Sequence, residues 1–219
     1  MWCIPELTKE FRRRMYKVLD TYVEKYNKKQ PIICIDEKSK QLLANTRVTI
    51  PGKPGSPAKI DYEYKRNGTR NIFVAVEPKG GKRYCKVTKR RGKKDFAYFV
   101  KDIVTRKYAK AESVTIVLDN LNTHFEGSFY ETFSKEEARG ILSKINFVYT
   151  PKHASWLNMA EIEINVLEHQ CLNRRIGTEN ELKLEVGKWQ KRRNKEKAKI
   201  NWGFTKRDAY SKMCKYYIS

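Results

Sequence analysis

With 47 Lys and Arg against 25 Asp and Glu in 219 residues, the chain carries a formal charge of +22, which repels itself and calls for a polyanionic partner, nucleic acid before an anionic membrane surface. That length suits one substantial core, and a 40% hydrophobic content with 13 tyrosines argues against a disordered tail. No apolar stretch approaches the ~20 residues of a membrane span, and MWCIPELTKEFRRR has no signal-peptide core, so no membrane partner is expected.

Residues 1–30 show helical spacing in Phe11, Met15, Leu19, Tyr22 and Tyr26, which predicts an amphipathic helix leading into a main domain at 31–219. Pro31 ends that pattern, and Ile32 to Ile35 read as a short buried strand closing on Asp36. A second strand is expected over Gln41 to Ile50, followed by PGKPGSPAK, a loop or hairpin excursion. With Lys59, Lys65 and Arg66 nearby, that excursion could touch DNA or a partner subunit, or have no function. Ile72 to Val76 and Tyr84 to Val87, separated by Pro78-Lys79-Gly80-Gly81, extend the strands into an antiparallel meander. A helix over Lys94 to Lys110 precedes Val114 to Leu118, a strand that closes on Asp119. A helical segment through Leu142, a strand at Asn146 to Thr150, and helices over Leu157–Arg174, Glu179–Arg193 and Lys206–Tyr216 complete the chain. This succession predicts an α/β fold, a mixed β-sheet flanked by α-helices in the ribonuclease-H-like arrangement. Its first and fourth strands lie side by side, which would bring Asp36 and Asp119 together.

Five scattered cysteines, Cys3, Cys34, Cys85, Cys171 and Cys214, have no paired spacing and read as reduced thiols of a cytosolic protein. The three histidines lack metal-ligand spacing. Acids carry the chemistry instead. In the helix from Leu157, Ala160, Ile164, Leu167 and Cys171 form an apolar stripe, beside a polar one of Asn158, Glu161, Asn165 and Glu168. Glu163 faces elsewhere, and Glu168 is a reserve for Glu161. Singly, Asp36 and Asp119 read as turn or cap residues and Glu161 as part of a solvated helix face. Converging on a sheet, the three carboxylates would instead hold a pair of Mg²⁺ or Mn²⁺ ions for phosphodiester chemistry.

The blocks IDEKS, DNLNTH and YTPKHASWLNMAEIE, with the tract DYEYKRNGTRNIFVAVEP, resemble the catalytic domain of DDE transposases from bacterial insertion sequences of the mariner-type superfamily, over about Pro31 to Phe204. The resemblance implies Asp36, Asp119 and Glu161 as the catalytic and metal-holding acids, with two Mg²⁺ or Mn²⁺ ions. It places Lys38, Asn120, His124, His153 and Trp156 near the scissile phosphate, although His124 and His153 also read as ordinary capping or packing histidines. It further implies cleavage at transposon ends, transfer of a 3′-hydroxyl into target DNA at TA sites, double-stranded DNA as partner, and a homodimer at least on DNA. The expected location is cytoplasmic, on the nucleoid. Family members usually carry N-terminal helix-turn-helix modules; a single helix here leads to the expectation of a catalytic half whose end recognition is supplied elsewhere.

Two basic tracts would serve DNA phosphates: Lys86 to Lys94, with Arg90, Arg91, Lys93 and Lys94, and Lys188 to Lys199, with Arg192 and Arg193. The second also reads as a solvated helix face. A ribonuclease-H-like nuclease outside transposition would share these acids, and a catalytically inactive DNA-binding relative would share the basic tracts.

Overall fold

The computed structural model describes residues 7–59, 61–121 and 123–216. Helix α1 (Lys9–Val23) opens on Thr8, whose Oγ1 accepts from the Phe11 N–H at 3.1 Å, and it buries Phe11, Met15, Val18, Leu19 and Tyr22. It ends short of Tyr26, which is exposed.

The structure departs from the sequence expectation next. The separate strands expected on either side of Asp36 are one strand, β1 (Ile32–Asn45). The polar residues after Asp36 stay extended because β2 (Tyr64–Glu77) pairs antiparallel along them, from Cys34 opposite Val76 to Asn45 opposite Tyr64. A register shift between Gln41 and Leu43 interrupts the ladder. Between β1 and β2 the Pro/Gly segment makes the small hairpin excursion expected of it, with bridges at Ile50–Lys59 and Lys53–Ser56. Arg175 holds its base, donating to the carbonyls of Asp61, Tyr62 and Glu63 at 2.7–3.1 Å. Strand β3 (Lys82–Thr88) completes the meander against β2.

Helix α2 (Lys93–Asp102), continued by a π turn at Ile103–Lys107, leads to β4 (Val114–Leu118). Two short helices, α3 (Gly127–Tyr130) and α4 (Lys135–Leu142), lead to β5 (Ile145–Tyr149). Strand β4 runs parallel to β1 and β5 parallel to β4, so the order is β3-β2-β1-β4-β5. First and fourth strands are neighbours, as the ribonuclease-H-like reading requires. Helices α5 (Met159–Leu167, then a π turn at Glu168–Leu172), α6 (Glu179–Lys195) and α7 (Lys206–Met213) follow.

Alternation along the strands sorts side chains to the two faces. Ile33, Ile35, Phe73, Ala75, Ile116 and Leu118 pack with Phe96, Phe99, Val100 and Phe129 on one side. Cys34, Val76 and Val117 pack with α1, Leu157, Met159, Ala160 and Ala209 on the other. A further cluster joins Leu42, Ile72 and Val74 to Leu167, Leu172, Leu182, Val186 and Trp189. Helix α6 also closes the outer edge of β3: Gln190 Oε1 accepts from Cys85 N at 2.6 Å, while the Asn194 amide accepts from Arg83 N and donates to Arg83 O, at 2.7 and 2.9 Å.

Cys34, Cys85, Cys171 and Cys214 are free thiols; Cys3 lies outside the described residues. Among the described residues, no helix is long and apolar enough to cross a membrane.

Candidate functional site

The parallel β1–β4 ladder ends with Cys34 opposite Val117, and Asp36 and Asp119 each come two residues beyond that pair. They therefore stand in register, at the same level, just past the paired part of β1 and β4. Asp36 is inside β1, because β2 continues to pair it on the other side, with Val74 opposite. Alternation gives Asp36 the face of Cys34, the face covered by α5.

Glu161 sits in the first turn of α5, whose N-cap is Asn158. The Asn158 Oδ1 accepts from Ala160 N at 3.1 Å, and its Nδ2 donates to Ile35 O at 2.9 Å and reaches Asp36 Oδ2 at 3.5 Å. The residue that starts the helix thus also pins it to β1 beside Asp36. Glu168, the reserve acid, lies 3.5 Å from Lys38 Nζ. That pairing leaves Glu161 as the helix acid whose charge bears on Asp36.

Burial pushes the Asp36 carboxyl up to about 7, against the hydrogen bond from the Glu37 N–H, and the negative charges of Asp119, Glu37 and Glu161 push the same way. For Asp119, burial raises the value, but the hydrogen bond and positive charge of His124, the Leu121 N–H and the charge of Arg91 together hold it below the ordinary carboxylate value. His124 is the counterpart. Burial disfavours its charge, yet hydrogen bonds to Asp119 and Glu37 outweigh burial and lift it to about 9. Its Nδ1 stands 2.7 Å from Asp119 Oδ1 and its Nε2 3.1 Å from Glu37 Oε2, with the ring against Phe96 at 4.6 Å between centroids.

As placed, no three acidic, histidine or cysteine side chains among the described residues stand close enough to hold an ion. The donor chemistry nevertheless fits a hard divalent cation. Asp36 is a half-buried carboxylate whose polar contacts are a main-chain N–H and an amide, and the charges of Asp119, Glu37 and Glu161 bear on it.

The other residues expected at the site divide. Asn120 accepts from Arg14 Nη1 and donates to Thr150 O, both at 2.5 Å, tying α1 and the end of β5 to the Asp119 turn. His153 is exposed at φ 59° and lines a groove with Arg14 and Lys152. Trp156 is exposed, its ring edge-on to Phe204 at 5.5 Å. His124 is 1% exposed, with the carboxylates of Asp119 and Glu37 at its two ring nitrogens. In the first basic tract Arg90 and Lys94 are exposed, Lys93 pairs with Glu131 at 2.6 Å, and Arg91 comes within 3.8 Å of Glu37 Oε1. In the second, Arg192 is exposed and reaches Gln170 at 3.1 Å.

Arg193 does not belong to the DNA-facing set. It is 15% exposed and pairs at 3.0 Å with Glu163, which in turn holds Arg83 at 2.8 Å, both of those side chains being fully buried. Glu163, expected only to face elsewhere than Glu161, is buried where two guanidinium groups from β3 and α6 meet it. No local pattern announces such a partnership. Glu37 is likewise absent from the expected set, although alternation sends it to the face opposite Asp36; the capping role of Asn158 is legible in its place just before the helix.

The sequence profile of the family described as DDE superfamily endonuclease matches residues 31–183. No curated protein matches the sequence. Among solved structures, the fold is similar to the Mos1 transposase paired-end complex with left transposon end, at 18% identity over 92% of this chain and 59% of that one, with a TM-score of 0.54. It is also similar to the Mos1 strand transfer complex, at 15% identity over 90% and 60% with a TM-score of 0.57. The mariner Mos1 paired end complex with Mg matches at 17% identity over 100% and 66%, with a TM-score of 0.57. The chain spans about three fifths of the length of the first two.

Proposed function

The chain belongs to the DDE superfamily of endonucleases, and from that premise we propose that it is the catalytic domain of a mariner-type transposase. Asp36, Asp119 and Glu161 hold two Mg²⁺ or Mn²⁺ ions, strands are cut at transposon ends, and the freed 3′-hydroxyl is joined to target DNA. The observation that carries this reading is the in-register placement of Asp36 and Asp119, each two residues beyond the last pair of the β1–β4 ladder, with capped α5 bringing the charge of Glu161 to bear on Asp36.

When bound, the ions would activate the attacking water or 3′-hydroxyl and neutralise the leaving oxygen. The protein's own groups prepare that site. Asp119 is ionised beside His124, and Asp36 gives up its proton when a cation arrives. Lys38, beside Glu168, and Arg91, beside Glu37, supply positive charge for the DNA backbone, joined by the exposed Arg90 and Lys94 of the first basic tract and Arg192 on α6. Asn120, His153 and Trp156 form the rim on the side of α1. The Mos1 relatives are complexes with transposon ends and with Mg or Mn, which supports double-stranded DNA as substrate and these metals as cofactors. Their paired-end form supports action as a homodimer on DNA, and a location in the cytoplasm on the nucleoid belongs to the same proposal.

The test is incubation of the protein with supercoiled plasmid in Mn²⁺, Mg²⁺ or EDTA, beside Asp36→Ala and Glu161→Ala. Nicking that needs metal and is lost in both variants is expected. Nicking that survives in EDTA or in either variant removes the acids from the chemistry.

A further inference from the structure

Glu37 reaches both aspartates from one position. Its main-chain N–H donates to Asp36 Oδ1 at 2.7 Å. Its side chain turns to the opposite face of β1, where Oε2 meets His124 Nε2 at 3.1 Å, and the same ring's Nδ1 meets Asp119 Oδ1 at 2.7 Å. The Leu121 N–H also falls on Asp119 Oδ1, at 3.2 Å. On Asp119 the hydrogen bonds thus gather on Oδ1, and on Asp36 the one at Oδ2 is the long Asn158 contact of 3.5 Å.

The main-chain ladder between β1 and β4 has already ended, at Cys34 opposite Val117. Beyond that pair the Glu37–His124 contact joins β1 to the turn that follows β4. It is built inside the protein: the side chains of Glu37 and His124 are 5% and 1% exposed, the ring lies on Phe96, and Glu37 Oε1 faces Arg91 at 3.8 Å. A buried acid–imidazole pair is a poor way to add stability, since hydrocarbon of the same volume does as well or better. Its position between two acids gives it another use.

We propose that Glu37 is a positioning residue which, through its own N–H and through His124, sets the spacing of Asp36 and Asp119 and leaves Oδ2 of each for a divalent cation. The proposal rests on the reading of those aspartates as ion ligands. The sequence resemblance assigns Glu37 no role.

The test is Mn²⁺ binding to the full chain without DNA, read from the electron paramagnetic resonance of free Mn²⁺, with melting temperatures recorded alongside. The variants are Asp119→Ala, Glu37→Ala, Glu37→Gln, His124→Ala and the Glu37→Ala/His124→Ala double. Partners that orient metal ligands are worth roughly 10–100-fold in affinity, so Glu37→Ala and His124→Ala should each weaken binding by about that factor, and the double by no more than the weaker single. Glu37→Gln keeps an oxygen facing the His124 Nε2 across the same contact and should recover to within about threefold of the parent. A weakened Asp119→Ala beside an unchanged Glu37→Ala overturns the brace and leaves the acids as ligands. An unchanged Asp119→Ala overturns the ligand reading and the brace with it. If Glu37→Ala does not fold, Glu37→Asp, too short to reach His124, replaces it and must show the same loss.

Discussion

Asp36 is the residue whose ionisation costs the fold most plainly. Its carboxyl is pushed up to about 7 from an ordinary 3.8. Because the folded state holds that proton more tightly than the unfolded chain, Asp36 favours folding at low pH, and this contribution is lost as the pH rises through 7. A cation entering the site must displace the proton. Mn²⁺ affinity should therefore rise about tenfold per pH unit below 7 and level off above it, and Asp36→Asn should abolish the slope; a flat profile in the parent protein would refute this. Asp119→Ala addresses the other strand. It should eliminate metal-dependent cleavage while duplex affinity, measured by fluorescence anisotropy, stays within about threefold, because basic side chains dominate that affinity. Both aspartates were legible in the sequence, each closing an apolar run. His124 was placed among the site residues by the resemblance, but Glu37 was not, since its role depends on a contact with His124 from a part of the chain far away in sequence.

At the scale of elements, α5 is set by its two ends of contact, Asn158 at the start and Glu163 one turn in. The Glu163 carboxylate is held by Arg83 and Arg193 inside the protein. Removing one partner from such a group leaves buried charge imperfectly compensated, so Arg83→Met should destabilise the protein by about 3–5 kcal/mol in urea denaturation. A loss under about 1 kcal/mol would mean that Arg193 alone suffices. Element types were readable because strand runs and helical stripes differ in period; β1 was not read as one strand. Its middle, from Asp36 to Lys40, is too polar to announce a strand and is extended because β2 pairs with it. The buried Glu163 was missed for a related reason: helical periodicity sorts residues by polarity and is blind to an ion pair contributed by another element.

For the whole molecule, the +22 charge is the dominant property. Duplex affinity should fall steeply with salt, and neutralising Arg90 and Lys94 together should lower the slope of log affinity against log salt by about 0.9 for each phosphate that they neutralise. An unchanged slope would move the DNA off that tract. Strand order was recoverable because the ribonuclease-H-like arrangement follows from the succession of strands and crossovers, and the adjacency of β1 and β4 bears it out.

The outer edge of β3 is occupied by Gln190 and Asn194 of α6, which take the Arg83 and Cys85 amides and the Arg83 carbonyl. An open edge invites another chain to extend the sheet, a common start of aggregation. Here that invitation is withdrawn over the first half of the strand without proline or bulge, by two amide side chains one helical turn apart. A second copy could add a strand there only by peeling α6 away, which would also uncover Trp189 and Val186. Copies of this chain are thus kept from merging into one sheet along that side.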